Sequence, residues 1–443
     1  MSTRRILLII VILTFGMNAL TGCQRARPLK PVTITVSYPS AQQFYVMFGY
    51  AFEKAHPHIN IQVIQDGFEG DDDDLFDTEA DVMYINGIEQ YKAAIERGKL
   101  RQIPPAILGE TANSGALSPI VATLLASASE DGHYYALAPA FHSEALYFNK
   151  KIFDKYQLPY PHDGMLWSDV FALAERVPAE NEDGSRLYGI QMNYSRNVTM
   201  NYILKAGETE GLSYLDPKTL QVTMNTDRWR SIWETAVQAF RAGAVYDKEE
   251  DADSMQRPAF LTGHAAMTIS SNALAYDFEV LSHFDGGTEF DWGVVTAPVD
   301  PLNPDITNFY EIYDYFGVSS ASEHPEEAME LVRFIAGDAL NSRLVAANYP
   351  NYGLPAVTEY IHPAGDHDLS PLYSLQANSN RTAGHSEIEA EIVAAFQTAA
   401  QSILNSLLQN EITLDEALVK VELQGQEAVD AAVLELERNR QAE

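Results

Sequence analysis

Tyr38 and Gln42 follow an alternating run, Val32–Val36, and Asn86 follows another, Asp81–Ile85. Tyrosine presents a flat ring and a hydroxyl, while glutamine and asparagine each carry a donor and an acceptor. Such residues just beyond parallel strands suit contact with a small polar ligand, because ligands of open α/β sheets sit outside the carboxyl ends of the strands. Plainer uses stay open. Tyr38 also reads as a core ring and Asn86 as the N-cap of the next helix. Tyr194, beyond the run Tyr188–Met192, is a further candidate, although a lone tyrosine in such a loop is more often structural.

Catalytic signatures are missing. The chain has no G-x-S-x-G, no H-E-x-x-H and no phosphate-binding loop. No catalytic residue, metal or cofactor is expected. With 62 acids, two carboxylates at hydrolytic spacing remain conceivable, so a secreted surface glycoside hydrolase is the alternative from another class. The acidic run Glu69–Asp77 reads as a solvated loop rather than a calcium loop, because it lacks the spaced ligands of an EF-hand. His362 and His367, with Asp366 and Asp368, lie in a Pro- and Gly-containing loop and read as solvated. Tyr134 and Tyr135 are neighbours on a strand-like run, so they point to opposite faces.

The N-terminus carries Arg4-Arg5, an apolar run Ile6–Phe15 and the sequence Leu20-Thr21-Gly22-Cys23. That run is too short to span a bilayer, which takes ~20 residues, and suits a signal-peptide core. The closing tetrapeptide resembles a bacterial lipobox. It implies that residues 1–22 are removed and that Cys23 is lipidated, with 23–31 as a tether to a membrane at the cell surface or in the periplasm. Cys23 is the only cysteine, so no disulfide framework or cysteine metal site is available. The net charge of −33 opposes binding to nucleic acid or to anionic headgroups.

The elements alternate. Val32–Val36, a helix Gln42–His56 and Ile59–Ile64 form a β-α-β unit with a parallel sheet. Helices are expected at Gly87–Gly98, Trp167–Val177, Val198–Lys205, Asp227–Ala242, Met255–Leu261, Ser271–Leu281 and Pro325–Ala336. Strands are expected at Tyr188–Met192, Ala265–Ile269, Trp292–Val295 and Tyr313–Ser319. Two long helices, Glu387–Gln409 and Thr413–Asn439, end the chain, the second opened by a Thr413/Glu416 capping box. Between them, Asp131–Leu158 reads as two short strand-like runs broken at Pro139, then a helix. That order suits a chain leaving one compact body for another, a hinge beside a cleft. The class is α/β.

Six stretches in order resemble the family 1 extracellular solute-binding proteins, the carbohydrate-type receptors of bacterial ABC importers. They are Phe52–Ile59, Ala80–Val82, Leu137–Asn149, Trp167–Asp169, Gly263–Met267 and Ser322–Ala328. The resemblance implies a two-lobed periplasmic-binding-protein-like fold, each lobe a mainly parallel sheet flanked by helices and joined by hinge crossovers. It places the N-terminal lobe at 32–140 plus 300–352 and the C-terminal lobe at 141–299 plus 353–443. Return crossings are expected at Val294–Asp300 and near Tyr349–Ala356.

The resemblance also implies a function. A monomeric receptor would capture a small polar solute, a sugar or oligosaccharide, and deliver it to ABC permease subunits. A sensor for a non-sugar ligand, an amine or a metal ion, is a second alternative. Phe141, His142 and Ser143 fall where the family has its cleft floor, with Glu144 beside them. Ser271 and Asn272 fall where relatives hold ligand, but the tryptophan frequent there is missing. Glu311 and Tyr313 stand where many relatives have a glycine pair and then a tryptophan. An acid there still accepts hydroxyl hydrogen bonds and also suits an amine or a cation.

Overall fold

The computed structural model describes residues 30–65, 78–104, 116–192, 196–248, 258–284, 290–379 and 388–442. Cys23 and the rest of 1–29, the Glu69–Asp77 run and Tyr194 lie outside the described residues. The first sheet has the order β10-β3-β1-β2. Strand β1 (Val32–Ser37) pairs in parallel with β2 (Ile59–Ile64) and with β3 (Val82–Asn86). Strand β10 (Asp314–Val318) runs antiparallel on β3. The helix between β1 and β2 is continuous but turns π-helical at Tyr45–Gly49. The Tyr45 ring lies 2.7 Å from where a Cβ on Gly49 would sit, so only glycine lets it fold back over the turn.

The second sheet is built on β4 (Ala140–Asn149). Strands β6 (Ala265–Ser271) and β7 (Trp292–Thr296) flank it, both antiparallel, and β5 (Tyr188–Gln191) runs parallel to β6. Here the sheet differs from the mainly parallel one expected, because β4 enters from the other lobe and its neighbours run back against it. Alternation sorts its side chains. Leu146 and Phe148 join Met267, Trp229, Trp233 and Phe396 in one core, while Ala145 and Tyr147 join Trp292 and Phe278 in the other. The C-terminal helices Ala390–Leu408 and Leu414–Ala442 close the first of these cores. The capping box is present: Thr413 N donates to Glu416 Oε2 (2.8 Å), and Glu416 N donates to Thr413 Oγ1 (3.3 Å).

Three stretches of chain link the sheets. Leu137 still exchanges two backbone hydrogen bonds with Phe316 of β10. Ala140 and Phe141 then pair with β11 (Leu354–Pro355), and His142 and Ser143 with β9 (Tyr310–Glu311). From Glu144 onward the partner is β6. The expected break at Pro139 is therefore only the start of one unbroken strand. The return crossing lies later than Val294–Asp300, since β7 is still hydrogen-bonded to β4 and the chain reaches the first sheet only at Asp314. The crossing near Tyr349–Ala356 coincides with β11. The short strands β8 (Ile306–Thr307) and β12 (Gln376–Ala377) pair beside the return segment.

A buried carboxylate ties the first sheet to the turn that leads into the helix Pro325–Gly337. Asp81 is 8% exposed. Its Oδ2 accepts from Thr35 N (2.9 Å) and Thr35 Oγ1 (3.0 Å), and its Oδ1 from Ser322 Oγ (2.6 Å). Burial raises its pKa, but the Ser322 and Thr35 bonds outweigh burial and hold it below the ordinary value. A depressed carboxylate pKa adds stability above the unfolded pKa of about 4 and loses it as pH falls through the lower folded value. Asp81→Asn should cost about 1–2 kcal/mol at pH 7. In urea unfolding, the gap to the parent should narrow toward pH 3.

Candidate functional site

Where the crossings lie side by side, the two sheets face each other across a cleft of about 760 Å³. Its first wall is the end of β3 and the helix Gly87–Glu96, represented by Asn86, Gln90 and Lys92. The opposite wall is the helix Val198–Thr209 and the chain just after it, with Asn201, Lys205, Glu208 and Tyr214. Gln397 of the C-terminal hairpin joins that wall. The return crossing supplies Asn308 and Tyr310–Tyr313. Tyrosines, amides and carboxylates thus share one space with apolar side chains such as Ile88, Leu204, Leu212 and Ile312, the mostly apolar lining with a few polar groups that small-molecule sites have.

Three sequence candidates line this cleft: Asn86, Glu311 and Tyr313. Asn86 does not cap its helix through its side chain. Its Nδ2 donates to Tyr84 Oη (3.0 Å), which in turn donates to Asp314 Oδ1 (2.7 Å). Burial, and then the Asp314 charge, push the Tyr84 phenol well up from its ordinary value. Tyr313 Oη donates to Glu311 Oε2 (2.9 Å), and the Tyr313 side chain is 47% exposed.

The other candidates lie elsewhere. Tyr38 is buried against Phe44, Tyr84 and Phe316, so its ring packs the lobe. Gln42 is exposed on its helix, outside the cleft lining. Phe141 is fully buried, with its ring edge-on to Tyr310. A ring with no exposed surface contributes packing rather than solute contact. His142 is half-buried and pairs with Glu311 across β4 and β9, its ring 4.3 Å from that of Tyr313. Burial lowers the His142 pKa, opposed by Asp314 and Glu311. Asn272 is tied to the Ser143 backbone, while its Nδ2 is buried without a hydrogen-bond partner among the described residues. Ser143 N donates to Asn272 Oδ1 (3.1 Å), and Asn272 N donates to Ser143 O (2.8 Å). Ser271 is exposed at the end of β6, its carbonyl accepting from Tyr147 Oη (3.0 Å).

Lys205 carries no signal in the sequence. Its Nζ lies 2.8 Å from Glu144 Oε2 and 3.4 Å from Glu208 Oε2, and 3.9 Å above the Phe309 ring. Burial pulls its pKa down, but the two carboxylates outweigh burial and raise it. Asn308 Nδ2 donates to Glu208 O (2.7 Å) beside it. Lys205 thus joins the cleft wall to the first crossing through Glu144 and to the return crossing through Phe309. No loop signal marks it, because it projects from the middle of a helix. Gln397 is separated from the other cleft residues by too much chain for any local pattern to reveal it.

The histidine loop has structural duties. His367 stacks on Trp292 (3.9 Å between centroids), and Asp368 accepts from Ser370. Among the described residues, no three His, Cys, Asp or Glu side chains gather as a metal site. No helix among them is long and apolar enough to cross a membrane.

Two α/β lobes linked by three crossings, with a cleft of mixed polar and apolar lining beside them, are the architecture of a small-molecule receptor. The chain belongs to the bacterial extracellular solute-binding protein family, whose model matches residues 37–341. No curated protein sequence matches it. Among solved structures it is similar to an extracellular solute-binding protein family 1 member from Alicyclobacillus acidocaldarius. That match is 14% identical, with 91% of this chain and 100% of that one covered and a TM-score of 0.66. It is also similar to a sugar transporter from Rhizobium etli in an open conformation (18% identical, 90% and 99% covered, TM-score 0.62). A third is the sugar-binding protein MalE from Xanthomonas citri (14% identical, 92% and 99% covered, TM-score 0.61). At these identities the likeness is one of fold.

Proposed function

We propose that this protein is an extracytoplasmic solute receptor that captures a small polar solute between its lobes and delivers it to an ABC permease. The solute class is a sugar or oligosaccharide. The cleft carries this reading: about 760 Å³ falls within the ~300–1,000 Å³ of small-molecule sites. Solved relatives described as a sugar transporter and a sugar-binding protein favour the same class. Solute contacts are assigned to Asn86, Glu311 and Tyr313 on one side and to Asn201, Glu208 and Tyr214 on the other. Each wall holds half of the contacts, so closure about the crossings requires both.

The receptor acts by binding and release, without turnover. Residues 1–22 are read as a signal peptide, and Cys23 as carrying the diacylglycerol that keeps a monomer beside its permease at the cell surface or in the periplasm. The lobe division is proposed as 32–140 with 310–352 against 141–309 with 353–443, the second joint lying at Tyr310 rather than at residue 300.

A thermal-shift screen of the protein lacking residues 1–23 tests the assignment. A saturating sugar or oligosaccharide should raise the melting temperature, since a ligand at 100 times its Kd adds about 2.7 kcal/mol. Chromatography of the same incubation should return the sugar unchanged. Release of a shorter sugar would replace the receptor reading with the hydrolase.

A further inference from the structure

Away from the cleft, the helix Ala339–Asn348 and two of the crossings border a second, far smaller cavity of about 10 Å³. The first crossing contributes Pro139 and Ala140 to its lining, the third contributes Gly353 and Pro355, and the helix contributes Asn341 and Ser342. Asn341 is 1% exposed. Its Nδ2 donates to Ile335 O (3.1 Å), which settles the way its amide faces. Its Oδ1 is buried with no hydrogen-bond partner among the described residues. An orphaned acceptor is costly, and native proteins satisfy nearly all of them.

The crossings are poor sources of a donor for Oδ1. Pro139 and Pro355 carry no N–H, and the Ala356 N–H is already given to Pro139 O (2.9 Å). The cavity has room for one water and nothing larger, since a water needs ~10–15 Å³ of such space. Chemistry matters as much as room. Apolar cavities stay dry, whereas a buried water takes two to four polar partners. Here Asn341 and the buried Ser342 bring an amide oxygen and a hydroxyl to the same border.

We propose that one buried water binds in this cavity and links the helix Ala339–Asn348 to the first and third crossings. It donates one hydrogen to Asn341 Oδ1 and the other to a backbone carbonyl of the crossings, and it accepts from the Ser342 hydroxyl. Such a link suits a joint that moves. A water can turn to a new partner, so the crossings can shift against the helix without orphaning Oδ1. A direct side-chain bond would hold a single arrangement. The site does not depend on which solute the cleft takes.

A high-resolution crystal structure of the protein lacking residues 1–23 tests this directly. One water peak should lie about 2.6–3.0 Å from Asn341 Oδ1. In solution, relaxation dispersion of the water oxygen counts long-lived buried waters, and Asn341→Leu should remove one of them. Ser342→Ala is the milder variant, since it keeps Oδ1 and the Ile335 bond. Hydrogen exchange at the Ala356 N–H, which joins the third crossing to the first, should quicken about threefold in Ser342→Ala and more in Asn341→Leu. No water within reach of Oδ1 in the parent crystal overturns the site, whether or not Asn341→Leu folds. A protein donor bonded to Oδ1 instead, such as the Ser342 hydroxyl, overturns it too. So does an unchanged number of long-lived waters in a folded Asn341→Leu protein. Loss of the water with unchanged exchange at Ala356 overturns the link to the crossings and leaves a water that serves the helix alone.

Discussion

Lys205→Met is expected to lower the free energy of unfolding by about 2–3 kcal/mol and to weaken solute capture at the same time. The substitution keeps most of the aliphatic stem, so the loss is mainly that of the ammonium. Glu144 and Glu208 would then face each other with no cation between them, and the Phe309 ring would lose the charge above it. Breaking a buried pair costs ~3–5 kcal/mol. The lower figure applies here because the Glu144 and Glu208 side chains are 35% and 45% exposed and part of their charge returns to water. Urea unfolding at pH 7 measures the effect. Adding Glu144→Gln to Lys205→Met should recover a good part of it, because the orphaned charge is removed.

The pH dependence has a definite sign. The folded Lys205 pKa is raised, so its contribution is complete below the unfolded lysine value of about 10.4 and is lost as pH rises through the folded value. The difference between Lys205→Met and the parent should therefore be constant from pH 7 to pH 9 and shrink only above pH 10. A difference that already collapses near pH 7 would assign the effect to another group.

The sequence makes the regular elements legible and the joints much less so. Ile59–Ile64 and Pro325–Ala336 fall within a residue of their observed bounds, because each has a clear period and a proline or cap at its edge. At β4 the sequence pattern misleads. Pro139 and the polar His142–Glu144 look like an interruption in a short strand. Yet the strand is continuous, because its backbone changes partners from β11 to β9 to β6 along its length. Strands of two residues such as β9 and β11 carry no period at all. They are strands only because β4 lies beside them.

The site divides along the same line. Asn86, placed in the cleft lining, is reached by the rule that ligands lie beyond parallel strands, and Glu311 and Tyr313, also in the lining, by departure from a family pattern. Tyr38 obeys the same rule as Asn86 yet turns inward onto Phe316, a partner from a distant part of the chain. Lys205 and Gln397 are invisible to loop-based reading, since their roles arise from how a helix and a hairpin from the second lobe meet the crossings.

Gly353→Ala is expected to destabilise the protein by about 3 kcal/mol and to disturb the hinge itself. Gly353 precedes β11 at the third crossing, with φ +131° and ψ 173°. That region of backbone space is almost exclusive to glycine and costs other residues ~1–3 kcal/mol. Crowding adds to the strain. A Cβ there would lie 2.9 Å from Ala140 Cβ, 3.1 Å from Phe141 O and 3.2 Å from His142 Nε2. All three neighbours belong to β4, so relief requires the third crossing to move away from the first. Phe141 and Ala140 are the residues that pair with β11, and the movement would loosen the hydrogen bonds that keep the crossings side by side. Gly365→Ala is the control, because Gly365 has φ +59° with no atom near its missing Cβ. It should cost only about 1 kcal/mol. Chemical denaturation gives the two stabilities, and small-angle scattering without solute gives the lobe separation. A larger radius of gyration and weaker solute binding should accompany Gly353→Ala and not Gly365→Ala. Equal behaviour of the two variants would mean that the third crossing is slack and that the hinge is set by β4 and β9 alone.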